Sequence, residues 1–70
     1  MKTITIDKNY NGLKKADNGD YVYDGDLVID GNLEVKLDDR LVINGFNTVT
    51  GWMKVERSVM VKSYQEIGDY

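Results

Sequence analysis

The side chains best suited to chemistry in this chain are carboxylates. Seven of them lie close together in the sequence: Asp20, Asp24, Asp26, Asp30, Glu34, Asp38 and Asp39. Residues 17–39 carry a net charge of −7, whereas residues 1–16 and 40–62 each carry +3. Such a group of carboxylates could coordinate a cation, supply an acid–base pair, or present a negative surface to a basic partner.

The residues that most catalytic and metal sites require are missing. The 70 residues include no histidine and no cysteine, which excludes disulfides, thiol nucleophiles, Cys/His zinc sites and the usual general base. The sequence contains no phosphate-binding glycine loop, and the aspartates lack the spacing of an EF-hand. We therefore expect a protein that is not an enzyme and that holds no cofactor and no metal.

The length predicts a single small domain that needs additional stabilisation. A chain of this size buries only about 60% of the surface that its unfolded form exposes. Disulfides and zinc are excluded, so self-association remains, and we expect a homo-oligomer. The sequence shows no signal peptide and no run near the roughly 20 apolar residues of a membrane span. We expect a cytoplasmic protein with no membrane partner.

A repeat of 20 residues must position the carboxylates. Two pairs of glycines, each six residues apart, mark it: Gly25, Gly31, Gly45 and Gly51. Residues 22–35 and 42–55 share the pattern V-x-[DN]-G-x-x-x-[IV]-x-G-x-[LM]-x-V. Between the glycines, apolar residues alternate with period two, which predicts short half-buried strands. Asp-Gly and Asn-Gly predict tight corners at which glycine adopts a positive φ.

This pattern predicts an all-β fold, namely a short β-solenoid with coils of about 20 residues. Equivalent residues of successive coils would stack at about 4.8 Å, with Leu33 against Met53 in the core. The repeat region covers residues 21–63, with an N-terminal cap or strand at 1–20 and a C-terminal cap at 64–70. A weaker extension of the repeat aligns Leu13 with Leu33, and Val61 with Leu41.

Two structural questions stay open from the sequence. Asn-Gly and Asp-Gly also form hairpins, so a small antiparallel meander or barrel is the alternative fold. The segment 55–67 has both the helical spacing of Val55 and Val59 and the strand-like alternation of Val59 and Val61. It is therefore consistent with either a helix or a strand.

The segment GDLVIDGNLEV resembles the repeats of polymer-forming β-solenoids such as the bactofilins. The resemblance extends over about residues 20–63, although Asn47 stands where the first repeat has Leu27. It implies a structural role in which stacking of copies is itself the function. In size and acidity the chain also resembles the phage-encoded inhibitors of bacterial defence, including anti-CRISPR proteins.

The second resemblance implies an inhibitor that acts through a negative surface. The seven carboxylates, with Trp52 as an interface anchor, would mimic nucleic acid and block a bacterial nucleic-acid-binding protein in the host cytoplasm. No basic patch dominates, so direct binding of nucleic acid is not expected. The alternatives are a self-assembling structural protein, a viral accessory module, or carboxylates that only form corners and solvated positions.

Comparison of the two repeats separates the carboxylates from the rest of the pattern. The second repeat has Asn44, Thr50 and Lys54 at the positions of Asp24, Asp30 and Glu34. The sequence therefore predicts that the fold does not require Asp26, Asp30 and Glu34. These three residues become the first candidates for binding a partner.

A second apolar face is also predicted, on the outer side of the strands. Its residues are Val22, Val28, Val42 and Met60. Strands that are apolar on both sides are usually buried on both sides. We expect this face to mediate self-association.

Overall fold

The computed structural model describes residues 2–69, which form an all-β structure. The strands are β1 (Thr3–Ile6), β2 (Leu13–Lys15), β3 (Tyr21–Tyr23), β4 (Leu27–Ile29), β5 (Asn32–Val35), β6 (Leu41–Ile43), β7 (Asn47–Val55), β8 (Val59–Val61) and β9 (Gln65–Asp69). These residues contain no helix, so the ambiguous C-terminal segment is strand at β8 and β9. In particular, no helix in this range is long and apolar enough to cross a membrane.

The strands pair in three ladders. The first ladder runs β2–β3–β6–β8; the second consists of β4, residues 47–49 of β7 and β9; and the third consists of β1, β5 and residues 53–55 of β7. The second and third ladders share β7 and form one five-stranded sheet, while the first ladder is a separate four-stranded sheet. All of these pairs are parallel except β2 with β3.

The predicted register of the repeat is confirmed for the central strands. β3 pairs with β6, β4 with β7 and β5 with β7, in each case between residues 20 positions apart. Leu33 lies opposite Met53, and Val35 lies opposite Val55. The alternation of apolar residues is the same in both repeats, so this register places equivalent side chains on the same face of the sheet.

The predicted outward extension of the repeat is wrong at both ends. Leu41 lies opposite Val59, not Val61, because β7 and β8 are joined by three residues whereas β5 and β6 are joined by five. Leu13 pairs antiparallel with Tyr23 and is not aligned with Leu33. The predicted caps do contribute strands, β1 and β2 from residues 1–20 and β9 from 64–70, of which residues 1 and 70 lie outside the described range.

The inward-facing apolar residues of the ladders meet in one core. It consists of Ile6, Tyr21, Leu27, Ile29, Leu33, Val35, Leu37, Leu41, Ile43 and Val49. One polar residue, Asn47, is fully buried opposite Leu27, and its amide nitrogen donates a hydrogen bond of 2.9 Å to Gln65 Oε1. Asn47 Oδ1 accepts no hydrogen bond from residues 2–69, so this position carries the cost of burying a polar atom without a partner.

The corner glycines fulfil two different requirements. Gly25 and Gly31 adopt φ values of 113° and 136°, as the turn chemistry predicts. Gly45 does not have a positive φ, so the prediction is wrong for the Asn-Gly corner of the second repeat. A Cβ atom on Gly45 would collide with the Gly25 carbonyl and with Asp26. Glycine is needed there because two corners stack in direct backbone contact.

Replacing Gly45 with alanine should therefore destabilise the fold. Forcing a methyl group into this contact is expected to lower the free energy of unfolding by about 1–3 kcal/mol, measured by urea denaturation. The control Ser63→Ala, in an exposed loop, should stay within about 0.5 kcal/mol of the wild type. Equal stability of the two variants would contradict the stacked-corner geometry.

Candidate functional site

The carboxylates of the acidic segment are bound by residues of the second repeat. Four aspartates accept hydrogen bonds from the residue 20 positions later, in the pairs Asp20–Arg40, Asp24–Asn44, Asp26–Phe46 and Asp30–Thr50. We call these contacts the inter-repeat bonds. Side chains of Arg40, Asn44 and Thr50 donate, whereas Phe46 donates its backbone N–H over 3.0 Å. The acidic segment is thus part of the contact between repeats.

The corner at Asp30 shows how tightly one inter-repeat bond is built. Thr50 Oγ1 donates to Asp30 Oδ1 over 3.2 Å and accepts the backbone N–H of Gly31 over 2.7 Å. Immediately beyond it, Trp52 N–H donates to Asn32 Oδ1 over 3.0 Å. A hydroxyl can both donate and accept, so Thr50 satisfies two groups of the preceding repeat at once.

This geometry explains why the second repeat lacks the acids of the first. Equivalent residues stack opposite each other, and two carboxylates placed there would repel. The chain instead sets Asp24 against the amide of Asn44, and Glu34 against Lys54. Asp26 and Asp30 both accept hydrogen bonds from the second repeat, so each has a partner within the fold, while the expectation that the fold does not require them stays a prediction.

The remaining acids are bound or lie near basic groups. Asp38 accepts a hydrogen bond of 2.8 Å from the hydroxyl of the buried Tyr21. Asp39 lies 3.6 Å from Lys15 Nζ, and the same ammonium group lies 4.1 Å from the centre of the Tyr21 ring. Glu34 Oε1 is 3.6 Å from Lys36 Nζ. The charge block that is continuous in sequence is therefore divided among ion pairs and hydrogen bonds in the structure.

These contacts shift the pKa values of three carboxyl groups. The hydrogen bond from Arg40 holds the pKa of Asp20 below its usual value. For Asp24, the hydrogen bond from Asn44 and then the contact with Lys14 lower the pKa. The Tyr21 hydroxyl lowers the pKa of Asp38. In each case the bond stabilises the ionised carboxylate more than the protonated acid.

The predicted outer apolar face is divided between two ladders. Val22, Val42 and Met60 lie opposite one another on the first ladder, where Val42 is buried and Met60 is 46% exposed. Val28 lies on the second ladder opposite Thr48 and is 62% exposed. The structure therefore brings together three of the four predicted residues. Trp52, predicted to point outward, is half-buried where the pairing of β7 with β9 changes register.

Sequence reasoning missed a cavity where the third ladder ends. The cavity has a volume of about 270 Å³, and its apolar lining residues are Met53, Val55, Val59 and Ile67. We call these four residues the open end. Among residues 2–69, β5 is the one strand that pairs with residues 53–55; on the other edge, the pairing of β7 with β9 ends at Trp52, opposite Asp69, and this part of the chain supplies no partner to 53–55. The sequence signal was the shortened connection between β7 and β8, which ends the 20-residue repeat.

The acidic side chains do not gather into a metal-binding group in the described part of the chain. Residues 2–69 contain no cluster of three or more side chains placed to hold a metal ion. Comparison with protein families, curated proteins and solved structures found no match.

Removing the Thr50 hydroxyl should break the corner at Asp30. Thr50→Val is expected to lower the free energy of unfolding by about 1–3 kcal/mol, because the Gly31 N–H loses its acceptor. Thr48→Val, two residues away on the same strand, is the matched control and should change stability by less than about 0.5 kcal/mol. An equal loss in both variants would show that β-strand packing, and not the inter-repeat bond, matters at this corner.

Stability should fall in acid because of the bound carboxylates. The pKa values of Asp20, Asp24 and Asp38 are lower in the folded protein. Their contribution is therefore present above the ordinary aspartate pKa of about 4 and is lost as the pH falls below it. The urea midpoint should be constant from about pH 7 to pH 5 and decline below about pH 4. The urea midpoint of Asp38→Asn should decline less steeply with falling pH than that of the wild type. The midpoint of the control Asp17→Asn should follow the wild type.

Proposed function

We propose that this chain is a short β-solenoid module whose function is non-catalytic self-assembly, in which copies join end to end. The observation that carries the proposal is the free edge of residues 53–55 beside the apolar cavity of the open end. A strand edge without a partner strand, next to half-buried apolar side chains, is a template for another strand.

The solenoid interpretation rests on the register and the corners. Three parallel strand pairs share a displacement of 20 residues, and the inter-repeat bonds join positions with the same displacement. In a stack of this kind each coil contacts only its neighbours, so the last coil leaves one face of the core uncovered. The open end is that face.

Strand β1 has the properties needed to fill the free edge of a second copy. It is the first strand of the same third ladder and runs parallel to β5. Ile4 and Ile6 lie opposite Leu33 and Val35, which are the positions that align with residues 53–55 in the next repeat. If β1 of a second copy paired with residues 53–55 of the first, its Ile4 and Ile6 would cover the open end with the same alternation of inward-facing apolar side chains.

The other end of the molecule matches this arrangement. Within residues 2–69, β4 pairs on one edge only and displays the exposed Val28, while β9 is the last strand of the same ladder. If β9 of one copy paired with β4 of the next, the second ladder would continue from copy to copy. Pairing of residues 53–55 with β1 of the next copy would continue the third ladder in the same way. By sequence, residues 2–15 carry +3 and residues 56–69 carry −1, so the two ends attract.

The hypothesis of an acidic inhibitor stays a prediction. The geometry supports it less than self-assembly, because the aspartates at 20, 24, 26 and 30 already accept hydrogen bonds within the chain. A nucleic-acid mimic needs carboxylates that are free to meet the arginines and lysines of its partner. Blocking a bacterial nucleic-acid-binding protein would require these inter-repeat bonds to be exchanged for new ones.

A charge placed at the open end should prevent assembly. The weight-average mass from sedimentation should rise with concentration in the wild type. Met53→Lys should raise the protein concentration needed for assembly by about tenfold or more, since an ammonium group would be buried in the contact between two copies. Thr48→Lys adds the same charge to the middle strand of the second ladder, between β4 and β9, and should assemble like the wild type.

Two results would contradict this proposal. A wild type that stays monomeric at every concentration would rule out self-assembly as the function. Loss of assembly in Thr48→Lys, with Met53→Lys unaffected, would place the contact on the outer side of the second ladder, beside Val28, and not at the open end. Circular dichroism and urea denaturation of both variants would show that each is folded.

A further inference from the structure

We propose that strand β2 is a latch that covers a further docking edge, the outer edge of β3, and that the occupant of this edge is strand β8 of a second copy. The inference rests on the proposed end-to-end assembly and adds its regulation. It follows from the number of strands in each ladder and from the way β2 is held.

The strand count makes the latch necessary. The first ladder has four strands, whereas the second and third each have three. When β1 of one copy fills the edge of residues 53–55 and β4 meets β9, the two copies are displaced by three strand positions. In the first ladder, β8 of one copy and β2 of the next then fall on the same position. One of these two strands must leave.

Strand β2 is the one suited to leave. It is the one antiparallel partner in the pairing of residues 2–69, and it lies outside the 20-residue register. It has three residues, of which Lys14 and Lys15 are exposed. An edge strand rich in lysine is a known means of preventing edge-to-edge association. In its present position, β2 therefore blocks growth of the first ladder.

Strand β8 would continue the ladder where β2 stops it. Within one chain, β8 pairs parallel with β6, with Val59 opposite Leu41 and Val61 opposite Ile43. Strand β6 in turn pairs parallel with β3 in the same alternation. A copy of β8 on the outer edge of β3 would therefore add apolar residues beside the rings of Tyr21 and Tyr23.

Exposed electrostatic contacts hold the latch closed. Lys14 Nζ lies 3.4 Å from Asp24 Oδ2, and Lys15 Nζ lies 3.6 Å from Asp39 Oδ2 and over the Tyr21 ring. The four charged side chains of these two ion pairs are between 49% and 71% exposed. Contacts of this kind are individually weak and are screened by salt. Leu13 of the latch also packs against the core and pairs with Tyr23, so opening the latch gives up this contact as well as the two ion pairs.

A disulfide across the latch tests the proposal. Lys14 and Val22 are directly opposite residues on β2 and β3, and the chain has no cysteine of its own. In the double variant Lys14→Cys/Val22→Cys, the oxidised form should stay monomeric at concentrations where the reduced form assembles, with a difference of about tenfold or more in the concentration required. Mass spectrometry of the monomer would confirm that the bond is intramolecular.

The outcomes separate the latch from the assembly itself. Equal assembly of the oxidised and reduced forms, with the wild type also assembling, would overturn the latch and leave the proposed function intact. Absence of assembly in the reduced form and in the wild type would overturn both.

A second pair of variants tests the latch without cysteines. Lys14→Glu/Lys15→Glu removes both ion pairs and should lower the concentration needed for assembly. Lys2→Glu/Lys8→Glu makes the same change of net charge at the same end of the molecule without touching β2. If Lys14→Glu/Lys15→Glu needs the same or a higher concentration for assembly than this control, the latch is contradicted.

Discussion

The stacking of equivalent residues at a displacement of 20 positions is the constraint on which the rest of this structure depends. It fixes which strands pair, and it requires every corner of one repeat to fit against the same corner of the next. Gly45 follows from this, because no side chain fits between its backbone and the stacked corner at Gly25. The inter-repeat bonds follow as well, because polar groups that meet at these corners need partners.

The same constraint changes the meaning of the charge pattern. In sequence, the acids of the first repeat look like a surface that the fold leaves free for a partner. In space, stacking sets them against Arg40, Asn44, Phe46 and Thr50, so a donor neutralises or satisfies each one. The asymmetry of the two repeats is therefore a condition for stacking them, because like charges at equivalent positions would push the repeats apart.

A stack of so few repeats also has ends that are large in proportion to its core. At one end, Met53, Val55, Val59 and Ile67 leave the core partly uncovered, and at the other lie the exposed Val28 of β4 and the lysines of β2. The free edges favour addition of further strands, whereas the charged antiparallel strand opposes it. The proposed end-to-end joining under the control of β2 would reconcile the two features within one molecule.

The sequence by itself determined the all-β class, the 20-residue register and the position of most core residues, because glycine spacing and period-two alternation are local signals. It did not determine the role of Asp26 and Asp30, since their partners Phe46 and Thr50 are found only once the repeats are stacked. It also missed the antiparallel strand β2 and the open end. Both depend on where connecting segments bring the chain in three dimensions, which a pattern along the chain does not encode. Only the tertiary structure decided that these carboxylates take part in contacts within the fold. Residues 20 positions apart in sequence can share a hydrogen bond only when the chain brings the two repeats together.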